Sequence, residues 1–289
     1  MSGWRRISDA LAAAALALAF DAAPAAAASP AAPPARVVSI NLCADQLALM
    51  LAAPGQLVSV TRFAQDPQQS VLAAEAAGLP ANHARAEEVY LFDPDLVLAS
   101  DFTAPATLDM LRRLGIRVET FPAPRSLADV AAAIRQMGRA LGRDAAAEAL
   151  VARFEAGIAA LRAEAARSRH PRAVLYEANG YASGSGTLAG DILAAAGFAN
   201  VADEAGLAQG GTLPLERLAM LAPEAVILPE RGPGTSRGDE VVAHPVVRRL
   251  AAGAGEMPRS GHDWICATPF VLDVAARLAA ARRTMAAAP

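Results

Sequence analysis

The side chains in this sequence that suit binding chemistry are few and widely spaced. Its only cysteines, Cys43 and Cys266, follow the first β-type run and precede the last helical run. Three outcomes are open for them: a disulfide, which needs Cα atoms within about 7 Å; two free thiols lining a site and touching metal; or two small buried residues. Arg62, Arg231 and Arg259 are the cations placed to pair with anionic groups, because a guanidinium meets a carboxylate bidentately. Solvated surface arginine is the alternative for each. Phe63, Phe102, Tyr181 and Trp264 can supply flat apolar walls or simply pack. The four histidines, His83, His170, His244 and His262, are scattered and make no metal-ligand spacing. No nucleophile elbow, phosphate loop, HExxH or paired CxxC is present. The glycine-rich run from Gly180 to Gly186 follows a strand signal, but its order is not GxGxxG, and it reads as a mobile loop.

The elements that must position these residues alternate between short β-branched runs and longer helical ones, which marks α/β units around parallel sheets. Strands are expected at Val37–Ile40, Val58–Val60, Leu96–Ala99 and Val118–Phe121, with helices at Asp45–Leu51, Glu87–Phe92 and Ala104–Leu114, the last closed by Gly115. From Ser126 to Arg167 no strand signal occurs. Ser126 with Asp129 reads as a capped helix start, Gly142 interrupts, and Asp144 can cap a second helix. Leu150, Val151, Phe154, Ile158 and Leu161 form its apolar stripe. Running to Arg167, that helix would be about 36 Å long. The α/β rhythm resumes with a strand at Ala173–Tyr176, a helix at Leu188–Ala196, a strand at Val226–Leu228 and a helix from Val271 to about Met285.

The second half repeats the first. Residues 87–98 (EEVYLFDPDLVL) match residues 216–227 (ERLAMLAPEAVI) at a constant offset of 129. In each copy a helix opening with Glu stops before a Pro-acid turn, and a buried strand follows. Ligands of open parallel sheets gather at loops beyond the carboxyl ends of strands. Those loops are Asn41 to Asp45, Thr61 to Phe63 and Ser100 to Phe102 in the first half, and Asn179 to Tyr181, Glu230 with Arg231 and His262 to Cys266 in the second.

Composition narrows the function classes. Hydrophobic residues reach 54% but aromatics only 4%, so the core is built from alanine, leucine and valine. A charge of −3 leaves no electrostatic footprint for nucleic acid. At the N-terminus, Trp4-Arg5-Arg6, an apolar stretch from Leu11 to Phe20 and small residues from Ala25 to Ala28 have the layout of a secretory signal. The apolar stretch is too short for a bilayer, which needs roughly 20 residues. A cut after Ala28 removes two Arg and two Asp and keeps the charge at −3. Cys43 follows Leu42 and lies far beyond the apolar stretch, so neither cysteine reads as a lipid attachment site. Export makes a disulfide permissible.

Together, the Val37–Ile40 strand with its Asn41-Leu42-Cys43 turn, the paired Glu-helix-Pro-strand units and the long helical tie with Leu141-Gly142-Arg143 resemble the periplasmic iron-siderophore and vitamin B12 binding proteins over residues 36–285. The resemblance implies two Rossmann-like three-layer α/β/α lobes joined by one long α-helix, with ligand held between them. The expected organisation is a signal peptide at 1–28, a Pro/Ala-rich leader at 29–35, lobes at 36–125 and 171–289, and a connecting helical segment at 126–170. The expected function is the periplasmic solute-binding component of an ABC importer, monomeric and without catalysis or cofactor of its own. Its ligand would be a ferric siderophore or a cobalamin-type corrinoid. The heme branch fits less well, since its Tyr-bearing and Gly-Pro-rich segments have no counterpart after Ala99 and Tyr90 falls inside a helix. Ligand contacts are expected from Asn41, Cys43, Arg62, Phe63, Phe102, Tyr181, Arg231, Trp264 and Cys266. In the family, glutamates at the start of the repeated helix meet arginine pockets on the transmembrane dimer, a role carried onto Glu87 and Glu216, with Glu88 as a substitute for Glu87. A ligand-sensing partner of a membrane receptor and an exported α/β enzyme are the rival readings.

Overall fold

Alternation along the strands decides the architecture. The computed structural model describes residues 32–230, 237–253 and 257–287, so the expected signal segment, Trp4 and Arg231 lie outside the described residues. In the first half, β1 (Val37–Ser39), β2 (Leu57–Thr61), β3 (Ala81–Asn82), β4 (Leu96–Ser100) and β5 (Arg117–Phe121) form one parallel sheet in the order β3-β2-β1-β4-β5. Between them run α1 (Leu42–Leu51), α2 (Ala73–Ala76), α3 (Ala86–Tyr90) and α4 (Pro105–Arg113). Two helices follow, α5 (Leu127–Leu141) and α6 (Asp144–Ala165).

The second half opens with β6 (Arg172–Leu175), β7 (Tyr181–Ala182), α7 (Leu188–Ala195), β8 (Ala199–Asn200), α8 (Val201–Glu204), β9 (Gly211–Thr212) and α9 (Leu215–Leu221). It closes with β10 (Ala225–Ile227), α10 (Pro245–Ala252) and α11 (Val271–Ala287). Its sheet is smaller than the first, with three parallel strands in the order β10-β6-β8, while β7 and β9 form a separate antiparallel ribbon. The repeat is therefore partial. The two-residue strands β3, β7, β8 and β9 have no run long enough to show a period of two, and α10, opened by Pro245, escaped sequence reading as well.

Successive strand residues point to opposite faces, and both faces of each sheet are covered, as parallel sheets require. Val37, Leu96 and Leu98 turn inward and Val38, Val97 and Ala99 outward onto Val89, Leu108 and Leu111 of α3 and α4. In the second sheet Ala173, Leu175, Ala225 and Ile227 turn inward, and Val174, Tyr176 and Val226 outward onto Val201, Leu218 and Val247. The inward faces share one continuous core with residues of α1, α5, α6, α7 and α11, including Leu47, Ile134, Phe154, Ile192 and Leu278. Pro33 to Pro289 forms a single unit. Each sheet thus has a three-layer lobe, and the lobes meet through a common apolar helical layer as well as through the chain connection.

Local features fix the ends of that connection. Ser126 and Asp129 form a reciprocal capping box at the start of α5. Gly142 ends it at φ 69°, a left-handed position that favours glycine, and the Pro33 ring fills the space where a Cβ would stand. Asp144 is the first residue of α6 rather than its cap, and no side chain caps that end. Over 22 residues α6 extends about 33 Å. Of its stripe, Leu150, Val151, Phe154 and Ile158 are buried as the spacing predicts, and Leu161 is half-buried against the same core.

Candidate ligand-binding cleft

The carboxyl ends of the two sheets converge at one covalent point. Cys43, in the first turn of α1 beyond β1, is bonded to Cys266, which precedes α11, with their Cα atoms 5.0 Å apart. Of the three outcomes open for the cysteines, the bridge is the one found, so neither is a free thiol ligand. Local geometry explains the pairing. Asn41 caps α1 by accepting from the Cys43 and Ala44 amides, which fixes the helix start, and one turn on the Gln46 amide donates to Cys266 Sγ at 3.9 Å. Gln46 Oε1 and Trp264 Nε1, both buried, have no hydrogen-bond partner among the described residues.

On the first sheet's side, the cap residue Asn41 also donates to Ser100 Oγ at 3.1 Å, joining the loop after β1 to the loop after β4. Phe102 in that second loop is 81% exposed, although its amide is held by Ser100 Oγ. After β2, Arg62 and Phe63 are both exposed, with the guanidinium 4.5 Å from the ring centroid. This loop is anchored by Asp45, whose buried carboxylate accepts from the Thr61 amide and hydroxyl. Burial pushes the Asp45 carboxyl up from 3.8 to about 6, against the lowering effect of hydrogen bonds from Ser39 and Thr61. Asn41, Arg62, Phe63 and Phe102 thus lie beyond the carboxyl ends of β1, β2 and β4, the last three with exposed apolar or cationic side chains.

On the second sheet's side, Tyr181 is part-exposed on the β7–β9 ribbon with its hydroxyl lying over Gly210, where a Cβ would approach it to 2.1 Å. The glycine-rich run is close-packed rather than a free loop. A Cβ on Gly184 would meet the Leu207 carbonyl at 1.9 Å, and one on Gly186 would meet the Gln209 side chain at 2.3 Å. Those glycines exist to let the 207–209 backbone pass. The Gln209 side chain in turn accepts from Arg125, just before the cap of α5.

Trp264 departs from expectation. It is 6% exposed and belongs to the shared core, so its neighbour Ile265, 61% exposed, presents the apolar surface instead. Sequence reading took the aromatic for the wall, whereas the largest apolar ring is also what a core of small residues most needs to fill space. Arg259 donates to the Pro229 carbonyl and is a structural contact. Asp263 is taken up by Arg277. Glu177, at the end of β6, was not singled out in the sequence; burial raises its carboxyl above the ordinary value. Its position one residue past a strand's predicted end was the available signal. Among the described residues no group of three or more His, Cys, Asp and Glu side chains is placed to hold a metal ion.

Away from the cleft, the repeated units coincide in detail. Glu87 and Glu216 stand in the first turns of α3 and α9, both exposed and without a hydrogen bond or ion pair among the described residues. Glu88 is occupied, accepting from the His83 amide at 2.8 Å and meeting its ring at 3.1 Å. Partial burial opposes ionisation of Glu88, but these His83 contacts outweigh it and lower the carboxyl. The exposed acid in the first half is therefore Glu87.

Comparison with known proteins agrees with this architecture. The family described as "Periplasmic binding protein" matches residues 37–255. Cobalamin-binding proteins of two Halobacterium salinarum strains are each 34% identical over 173 residues, covering 58% of this chain and 46% of theirs; the match spans about half the length of those relatives. Among solved structures, a periplasmic heme binding protein from Pseudomonas aeruginosa is 26% identical, covers 86% of this chain and 92% of its own, and superimposes with a TM-score of 0.67. The periplasmic vitamin B12 binding protein of Vibrio cholerae shares the fold at 17% identity, with 88% and 98% coverage and a TM-score of 0.65. None of the described helices is long and apolar enough to cross a membrane.

Proposed function

The chain belongs to the periplasmic binding protein family, and from that premise we propose that it is the solute-binding component of an ABC importer, capturing a metal chelate between its lobes and delivering it to the permease. The observation that carries the reading is the convergence of both sheets' carboxyl ends at the Cys43–Cys266 bridge. On this reading the loops bearing Asn41, Arg62, Phe63 and Phe102 face those bearing Tyr181 and Ile265 across the ligand. Exposed apolar rings beside a guanidinium suit a large, flat, partly anionic ligand. A cobalamin-type corrinoid is the favoured ligand. It brings its metal already coordinated, and the 34% identical relatives are cobalamin-binding proteins. A ferric siderophore is the second reading, favoured by the exposed Arg62, whose charge would meet the anionic groups of a ferric chelate.

The family's location is the periplasm, and a disulfide fits an oxidising compartment. Export by the 1–28 signal without lipid attachment, a monomeric state, and the lobe and connector boundaries expected from sequence complete the proposal. So does docking on the importer's transmembrane dimer through Glu87 and Glu216, whose exposed, unpaired carboxylates can steer encounter with basic pockets. Native mass spectrometry of the purified protein together with its visible absorption spectrum tests the ligand. A corrinoid mass with corrinoid absorption is expected; a ferric hydroxamate or catecholate band would transfer the proposal to the second reading. A protein that binds neither class on incubation would remove it.

A further inference from the structure

Exposed large apolar residues in this protein fall mostly in two places. Phe63 and Phe102 follow β2 and β4, Tyr181 opens β7 and Ile265 precedes α11, whereas Tyr90, Leu91 and Met220 lie on the repeated helical units. Leu91 is 83% exposed and Met220 is 78% exposed. They are equivalent, since 220 exceeds 91 by the same 129 that separates Glu216 from Glu87. Each stands four residues after its glutamate, which places acid and apolar side chain on one face of one helical turn. Leu91 continues α3 in helical geometry as its C-cap, and Met220 lies within α9. Single exposed hydrophobic residues are ordinary on a protein surface. The same exposed pair at the same place in both halves is not, because the residues between them differ: Glu88, Val89 and Tyr90 in one, Arg217, Leu218 and Ala219 in the other.

We propose that Leu91 and Met220 are the apolar anchors of the importer-docking surface, each seated in a socket edged by basic groups that receive Glu87 or Glu216. The inference rests on the docking reading above and extends it. Its occupant is one partner presenting the same socket twice, which describes a two-fold symmetric transmembrane dimer. Charge sets approach and orientation, while the apolar side chains, once desolvated at the centre of each contact, set how long the complex lasts. Unbranched Met and flexible Leu adapt to two sockets that need not be approached at identical angles.

The test is importer-stimulated ATP hydrolysis, with the source organism's importer in lipid nanodiscs and the full mature protein as titrant. The double variant Leu91→Gln/Met220→Gln should raise the concentration for half-maximal stimulation about tenfold or more, in the range expected for loss of interface anchors. The maximal rate at saturation, thermal midpoint and ligand stoichiometry should be unchanged. An unchanged half-maximal concentration overturns the inference. Parallel titration of Glu87→Ala/Glu216→Ala separates the two claims: if the acid variant fails while the apolar variant behaves as wild type, docking stands and the anchors fall. If both behave as wild type, the docking reading falls with them. Light scattering provides the other overturning result, a concentration-dependent dimer of this chain that the Leu91 and Met220 substitutions abolish, since the pair would then serve self-association.

Discussion

The two halves agree where they face outward and differ where they face each other. In the first, Arg36 donates its guanidinium to the Phe92 and Asp93 carbonyls, and Asp95 accepts from the Arg36 and Ala35 amides. In the second, Arg172 donates to the Ala222 carbonyl, and Glu224 accepts from the Arg172 amide. Asp93 and Ala222, again 129 apart, both take left-handed backbone at φ 47° and 43° before their prolines. Around the cleft nothing corresponds in this way. After β1 the chain turns directly into α1, capped by Asn41. After β6 it makes a left-handed turn at Asn179 and lays down β7, which later pairs with β9, before α7 begins. On the proposed function, matched outer units suit a symmetric partner and unmatched inner loops suit an asymmetric ligand.

The largest effect that would sharpen this contrast is functional. Glu87→Ala with Glu216→Ala should abolish importer-dependent uptake while leaving ligand affinity within about twofold, because charge at a docking contact governs encounter and not the distant cleft. Uptake assays with calorimetry on the same preparation check it. Loss of ligand binding in that variant would break the division between outer and inner faces.

Next is the bridge between the halves. Cys43→Ser with Cys266→Ser opens a tie spanning 223 residues of sequence and should lower unfolding free energy by about 2 to 5 kcal/mol. Denaturant titration without reductant reads it. The shared apolar helical layer should keep the variant folded.

A smaller effect centres on Asp45 in the first half. Burial holds the Asp45 carboxyl at about 6, so the folded state keeps its proton longer than the unfolded chain does. Stability is then fullest below the ordinary carboxylate range and falls by about 3 kcal/mol as pH rises toward and through about 6. Denaturant midpoints across pH 4 to 7 should show that slope, and Asp45→Asn should flatten it.

The smallest prediction separates the matched turns themselves. Ala222 lacks the short polar side chain that eases left-handed backbone for Asp93. Ala222→Gly should therefore stabilise by about 1 kcal/mol and Asp93→Gly by less, as compared by thermal unfolding.

What the sequence disclosed follows the same division. The repeated unit, the strands β1, β4, β6 and β10, and the buried stripe of α6 all have regular periods or fixed spacing, which sequence reports directly. The second half's two-residue strands do not. Trp264 and the packed glycines failed for another reason, since whether a ring faces a cleft or a core, and whether a glycine bends or yields space, depends on neighbours remote in sequence. Leu207 to Gln209 decide the role of Gly184 and Gly186, and no local pattern announces that. The cysteines fell between these cases. Their placement after the first strand and before the last helix was legible, but bonding required that Asn41 fix the start of α1.

The most direct measurement of the central claim is isothermal titration of the mature, bridged protein with cyanocobalamin, a ferric hydroxamate and hemin in turn. The account predicts saturable one-to-one binding, tightest for cyanocobalamin, and weakened about tenfold or more when Phe63→Ala and Phe102→Ala remove the exposed rings of the first half's mouth. Binding unchanged by those substitutions, or no binding of any of the three, would contradict a ligand held between the lobes.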